Sequence, residues 1–229
     1  MDLDLTDEQQ MLRDGARRFF REHYGFDERR ALLASETGMS AECWAHYAEL
    51  GWLALGLPED TGGWPCTLVE TAILLEEFGR ALALEPYVST VVLCGRLLDR
   101  CGRTAATRAQ LQAMAEGRAR LALAHDEPDG RYDAGRLGVV ARRHGEDYLL
   151  QGCKSCVLDA PAADRLIVSA RPDGEDGLAL FLVDAAATGL TMSAYPLVDG
   201  TRAADVALDA VRVPASCVIA DDGSARVLL

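Results

Sequence analysis

The sequence predicts an α+β protein in which an all-α N-terminal domain, residues 1–118, precedes an antiparallel β-barrel or sandwich over residues 119–219. In the first domain, helix-start signals recur, and the apolar residues behind them repeat with the 3.6-residue period of a helix. After Gly117 the period changes to 2, which is typical of strands. Short strands without helices between them favour antiparallel pairing.

The helices are predicted from capping boxes and apolar stripes. Thr6 and Gln9 are three residues apart. At this spacing, the side chain of each residue can accept a hydrogen bond from the free backbone N–H of the other. One apolar stripe follows them: Met11, Leu12, Ala16, Phe19 and Phe20. Thr67 and Glu70 form a second capping box, which precedes another stripe: Ile73, Leu74, Leu75 and Phe78.

Three further helical segments complete the first domain. Ser40 can cap a helix that carries Trp44 and ends at Gly51. Two more segments cover residues 91–101 and 104–116. Because the connections are short, we expect a bundle in which neighbouring helices pack antiparallel.

Six strands are predicted in the second domain, and Gly, Asp and Pro residues separate them at hairpin-like intervals. They cover residues 120–125, 137–144, 147–152, 165–170, 178–183 and 205–213. A new helix is predicted to begin around residues 221–224, and the sequence ends at Leu229 without the capping Gly, Pro or polar tail that would mark a helix end. We therefore interpret residues 220–229 as the start of a third, helical domain that is truncated.

Composition excludes several classes of function. The chain has 229 residues and a net charge of −13, which argues against nucleic acid because phosphate binding needs concentrated Lys and Arg. The N-terminus is acidic, and no apolar run approaches the ~18 residues of a membrane span. We expect a cytoplasmic protein.

Motifs for metals and nucleotides are also missing. Seven cysteines without regular spacing predict no disulfide framework. Cys153 and Cys156 form a lone CxxC inside a strand-like run, whereas a redox pair should open a helix and zinc needs further ligands. The chain contains neither a GxGxxG fingerprint nor a P-loop.

The best candidate site is an edge of the β domain where residues 124–133 and residues 152–160 can meet as two loops. Loops on rigid strands concentrate ligand contacts, but both segments can equally be ordinary hairpin connections. His125 alone is a weak signal. Asp126 and Glu127 are adjacent, so their side chains should face opposite ways and not act as an acid–base pair.

Six motifs then give a resemblance. They occur in this order: residues 5–10, residues 49–63, residues 76–80, Glu127-Pro128, Gly152 with Lys154, and Val211 to Pro214. Each is short, but the ordered set over nearly the whole chain resembles the acyl-CoA dehydrogenase family. Finer details resemble the small subunits of pimeloyl-CoA dehydrogenase and the partners in heteromeric steroid-side-chain dehydrogenases.

The resemblance implies a helical domain, a β middle domain and a C-terminal four-helix domain that this chain lacks. It implies FAD as cofactor, an acyl-CoA substrate, a homo- or hetero-oligomer with another dehydrogenase subunit, and an electron-transfer acceptor protein. The family oxidises the Cα–Cβ bond of an acyl thioester, with a carboxylate base from the C-terminal domain. No catalytic residue is therefore expected in this chain.

The resemblance also implies where FAD would lie. It places the cofactor against Leu123, His125, Asp126, Cys156 and Leu158, and it places Tyr132 beside the substrate thioester. Four of these positions depart from the family. Asp126 and Leu158 each stand where the family has Thr, Cys156 stands in place of a flavin-stacking aromatic residue, and Tyr132 stands in place of Ser.

Three functions remain open at this point. The chain can be a flavin-dependent acyl-CoA dehydrogenase or one subunit of it. Alternatively, it can be a non-catalytic structural subunit that completes a partner's site, which the departures at Asp126, Cys156 and Leu158 favour. The third possibility is a standalone module that binds acyl groups or thioesters.

Overall fold

The structure, a computed structural model, describes residues 4–101, 104–131, 133–174 and 177–220. Its first part is helical, as predicted, and both predicted capping boxes are present. A π-helical segment, Val88–Gly95, leads directly into the fifth α-helix. The α-helices are α1 (Asp7–His23), α2 (Phe26–Ala34), α3 (Ala41–Glu49), α4 (Leu68–Ala81), α5 (Arg96–Arg100) and α6 (Ala105–Ala115).

An aromatic core holds α1, α3 and α4 together. The rings of Phe20, Tyr47 and Phe78 meet at centroid distances between 5.0 and 6.1 Å, and all three side chains are buried. The predicted stripe on α1 is wrong at Met11, which is 74% exposed because it lies on the solvent side of the helix. Helix α2 was not predicted, since it buries none of its residues and has no apolar stripe.

The second part is a single eight-stranded sheet. The strands of the described residues are β1 (Leu121–Ala124), β2 (Val140–His144), β3 (Asp147–Leu158), β4 (Arg165–Pro172), β5 (Ala179–Asp184), β6 (Leu190–Pro196), β7 (Arg202–Val213) and β8 (Val218–Ala220). The six predicted strands are present, and β6 and β8 were not predicted. The spatial order is β6-β7-β3-β2-β4-β5-β8, with β1 beside β4.

Most strand pairs are antiparallel, as expected, but the sheet is mixed. Strand β4 runs parallel to β1 along four residue pairs and parallel to β2 at its far end. Parallel pairing of β1 and β4 is possible because β2 and β3 come between them in sequence, so that the chain can begin β4 in the same direction as β1. The segment after β1 lies beside β3, where Ser155 N donates to Asp126 O.

The predicted loop over residues 152–160 is wrong, because β3 continues to Leu158. Strand β7 supplies the partners: Lys154 lies opposite Val206, and Val157 lies opposite Ala204. Ser155 and Cys156 of β3 thus face a single residue of β7, Asp205. This two-to-one pairing is a β-bulge.

The helices pack on the sheet through one apolar cluster that includes Leu98, Met114, Leu121 and Leu180. Within it, the buried Thr90 hydroxyl donates to Leu121 O at 3.0 Å and accepts from Leu121 N at 3.1 Å. The start of β1 is therefore fixed to the helical part. In the described ranges no helix is long and apolar enough to cross a bilayer. The helix predicted from Asp221 lies outside the described residues.

Candidate functional site

A cavity of about 630 Å³ lies where the segment after β1 passes the bulge of β3. Its volume is within the usual range of small-molecule pockets. The two segments singled out in the sequence therefore do meet. The cavity is lined by His125, Asp126, Glu127, Pro128, Gly130, Arg131, Asp133, Ala134, Arg136, Ser155 and Cys156.

The bulge joins β3 to the loop after β1 and to β7 through its two backbone N–H groups. Ser155 N donates to Asp126 O at 2.8 Å, and Cys156 N donates to Asp205 Oδ1 at 3.0 Å. Cys156 has a φ of 50°, in the left-handed region that side chains other than glycine rarely adopt. Bulges re-aim side chains, and this one exposes Cys156 at the cavity wall.

A buried ammonium next to the bulge holds the loop after β1 against β3. Lys154 has no exposed surface, and its Nζ donates to His125 O at 3.0 Å, Glu127 Oε1 at 2.7 Å and Ser169 Oγ at 2.9 Å. All three of its donor positions are thus used. Burial lowers the pKa of Lys154 to about 8, while the hydrogen bond and charge of Glu127 oppose that shift.

Glu127 is held as firmly as its partner. Its carboxylate also accepts hydrogen bonds from the backbone N–H groups of Gly138 and Val139, the latter at 3.1 Å. Its side chain is only 8% exposed. Glu127 therefore ties the loop after β1 to the segment before β2, and its oxygens are occupied by protein donors.

His125 lies at the inner edge of the cavity. Its Nδ1 is 2.9 Å from Ser169 Oγ, and the residue is partly buried. Burial, followed by the nearby Lys154 ammonium, lowers the pKa of His125. The imidazole is therefore neutral at pH 7.

The predicted site residues fall into three groups. His125, Asp126 and Cys156 line the cavity. Leu158 lies two residues farther along β3 and is 45% exposed, whereas Leu123 is half-buried and packs against the apolar cluster between helices and sheet. Tyr132 lies outside the described residues.

Sequence reasoning missed Asp205 and the partners of Lys154. Asp205 was noticed only as the first residue of a predicted strand, and its role depends on a bulge that no local pattern reveals. Glu127 and Lys154 each stood in a motif, but their ion pair joins residues 27 positions apart. Ser169 carried no signal beyond its place in an apolar strand.

The exposed residues at and beside the cavity combine apolar and polar surface. Cys156 and Leu158 offer adjacent apolar surface on β3, and His125 and Asp126 offer polar groups across the cavity. The N–H groups of Ser155 and Cys156 already have protein acceptors. Polar contacts to a ligand in the cavity would therefore have to come from other groups.

Comparison with known proteins gives one consistent result. A model of the acyl-CoA dehydrogenase N-terminal domain matches residues 6–118, and a model of the family's middle domain matches residues 122–211. FadE12, an acyl-CoA dehydrogenase of Mycobacterium tuberculosis, is 29% identical over 193 residues, which are 81% of this chain and 50% of FadE12.

Solved structures agree with this assignment. The crystal structure of the ChsE4–ChsE5 complex from Mycobacterium tuberculosis matches with a TM-score of 0.87 and 26% identity, over 100% of this chain and 61% of that chain. An acyl-CoA dehydrogenase from Bacillus anthracis, complexed with FAD, has the same fold with a TM-score of 0.87 at 24% identity, over 98% of this chain and 39% of that one.

The family models together match most of the chain, and they do so in the order of its two parts. The chain spans 50% of the length of FadE12 and 61% of the matched ChsE4–ChsE5 chain. It belongs to the acyl-CoA dehydrogenase family and contains that family's N-terminal and middle domains.

Proposed function

We propose that the chain is part of an FAD-dependent acyl-CoA dehydrogenase that oxidises the Cα–Cβ bond of an acyl-CoA thioester. The observation that carries the proposal is the cavity between the β3 bulge and the loop after β1, whose two walls are joined by a buried lysine. A rigid wall of this kind positions a ligand without the cost of ordering a loop.

Cys156 and Leu158 would hold the apolar face of the flavin ring, and His125 and Asp126 would lie at its polar edge. When bound, FAD supplies the acceptor for the hydride that leaves Cβ of the acyl group. The neutral imidazole of His125 can offer a hydrogen bond there without adding charge. Lys154 keeps the carbonyl of His125 turned inward, because its ammonium binds that oxygen at 3.0 Å.

The base that removes the α-proton lies outside this chain in our proposal. Within the described residues, the carboxylates that line the cavity are Asp126, Glu127 and Asp133. Glu127 is fully engaged by Lys154 and two backbone N–H groups. Asp126 and Asp133 are exposed to water, which is unfavourable for a base that must act in a dry cleft.

A second candidate is a non-catalytic subunit that completes the site of a partner dehydrogenase. Asp126 favours it, since an exposed carboxylate at the flavin edge disfavours the extra electron density of a reduced flavin. The ChsE4–ChsE5 complex is a relative built from two named chains. For either role we propose a homo- or hetero-oligomer and an electron-transfer protein as acceptor.

Flavin binding and flavin reduction separate the two functions. The purified chain, alone and with a co-expressed dehydrogenase subunit, is titrated with FAD and then mixed anaerobically with acyl-CoA thioesters of several chain lengths. Binding to this chain's own cavity with bleaching of the flavin near 450 nm supports the first role. Bleaching that persists after Ala134→Trp fills this chain's own cavity supports the second. Absence of FAD from every preparation would refute the first proposal.

A further inference from the structure

Three neighbouring strands bring Tyr195, Asp205 and Cys156 together beside the cavity. Tyr195 on β6 donates its hydroxyl hydrogen to Asp205 Oδ1 on β7 at 3.0 Å. The same oxygen accepts the backbone N–H of Cys156 in the bulge of β3 at 3.0 Å. One carboxylate oxygen therefore fixes both the bulge and the tyrosine ring.

The register places these groups on one face of the sheet. Ser193 lies directly opposite Asp205, and Tyr195 is two residues farther along β6, so its side chain points the same way. Asp205 is exposed, and it faces the two bulge residues of β3. The outer face next to Cys156 is therefore where the tyrosine ring lies.

The orientation of the ring is fixed at both ends. Its Cβ belongs to a paired strand, and its hydroxyl is held by Asp205. In the described ranges no other aromatic ring packs against Tyr195, and the side chain is only partly buried. A preorganised ring with free aromatic surface is well suited to contact a planar ligand.

We propose that Tyr195 provides an aromatic contact for the planar ring system of the ligand that lies over Cys156, and that Asp205 is the residue that positions it. This inference rests on the FAD-binding function proposed above. It gives a part in the binding surface to β6, a strand that was not predicted from the sequence. It also supplies an aromatic group at a wall where the bulge residue itself is a cysteine.

The test is a titration of the full chain with FAD, carried to millimolar concentration, for the wild type and three variants. Tyr195→Ala should weaken FAD binding about tenfold, the size expected for loss of one aromatic contact. Tyr195→Phe keeps the ring but loses the hydrogen bond to Asp205 that positions it, so it should weaken FAD binding by about two- to fivefold, less than Tyr195→Ala. Thr191→Ala, an exposed change on the same strand, is the matched control and should have no effect.

The lifetime of flavin fluorescence adds a readout that a structural role would not change. A phenol in contact with an excited flavin quenches it by electron transfer, whereas a phenyl ring does not. At saturating FAD, the bound flavin should therefore have a longer lifetime in Tyr195→Phe than in the wild type. Thermal unfolding of each variant shows whether any loss of binding follows from loss of structure.

The outcomes are distinguishable. If the wild type binds FAD and Tyr195→Ala binds it equally well, or if the lifetime is the same in wild type and Tyr195→Phe, the assignment of Tyr195 is wrong while the FAD-binding proposal stands. If the wild type binds no FAD even at millimolar concentration, either alone or with a co-expressed dehydrogenase subunit, both fail together.

Discussion

Lys154 and Glu127 form an ion pair of 2.7 Å in which the two side chains are 0% and 8% exposed. The pair joins β3 to the loop after β1, the two segments that enclose the candidate site. A buried ion pair adds little net stability, because desolvation offsets the attraction. Removal of one partner alone is costly, since it leaves an uncompensated charge in the interior.

Lys154→Met should lower the free energy of unfolding by about 3–5 kcal/mol, since it leaves the Glu127 carboxylate buried without its cation. Lys154→Met combined with Glu127→Gln should lower it by less than the single change, because the neutral amide can still accept from Val139 N. Urea unfolding of the wild type, both single variants and the double variant gives the coupling energy. Additive effects would show that the pair is not coupled.

Asp159 should make the protein less stable as the pH rises from about 4 to 6. Burial raises the pKa of this carboxyl to about 6, although a hydrogen bond from Ser89 opposes the shift. Between the unfolded and folded pKa values the native state binds more protons, so stability falls with rising pH in that window. Asp159→Asn should abolish this slope and raise stability at pH 7 by about 1–3 kcal/mol.

Asn is a suitable replacement because residue 159 has a φ of 58°, which Asn tolerates well. Asp164→Asn is the control, because Asp164 should change the pH dependence of stability in the opposite direction. The Arg120 guanidinium lowers the pKa of Asp164 against the effect of burial, so its contribution is lost as the pH falls. A wild-type pH slope that survives in Asp159→Asn would contradict the assignment to Asp159.

Thr90→Val should lower the free energy of unfolding by about 1–3 kcal/mol. The change keeps the shape of the side chain but leaves the backbone N–H and C=O of Leu121 without their partner in a buried interface. Chemical denaturation measures the change. Thr191→Val, on the exposed face of β6, should stay within about 0.5 kcal/mol of the wild type. Equal effects of the two substitutions would contradict the bridging role of Thr90.

The fold was largely predictable because its signals are local. The capping boxes at Thr6 and Thr67 need only residues three positions apart, and the change of period after Gly117 needs only a short window. Helix α2 and strand β6 were not predicted because they lack such local signals. α2 buries no residue, and β6 buries little, so neither carries a strong apolar pattern.

The site was predictable only in part. His125, Asp126 and Cys156 could be placed near one another because both segments were predicted to follow strands, although Cys156 lies within β3. The bulge that exposes Cys156 depends on the register between β3 and β7, and the partners of Lys154 come from three separate segments. Such long-range pairings leave no mark in a window of sequence.

The chain alone should not oxidise acyl-CoA. In the described cavity no carboxylate is both free and shielded from water, and general-base catalysis typically contributes ~10²–10⁴-fold. A dye-coupled assay with acyl-CoA thioesters should give the rate of a blank without protein. Addition of a partner dehydrogenase subunit is the positive control. Turnover by residues 1–229 alone would reveal a base that we have not recognised.

The central claim is that FAD lies against the β3 bulge, and a crystal structure of the chain with saturating FAD tests it most directly. We predict the flavin ring within van der Waals contact of Cys156 and Leu158, with His125 and Asp126 at its polar edge. A flavin ring found elsewhere on the β domain would contradict the account.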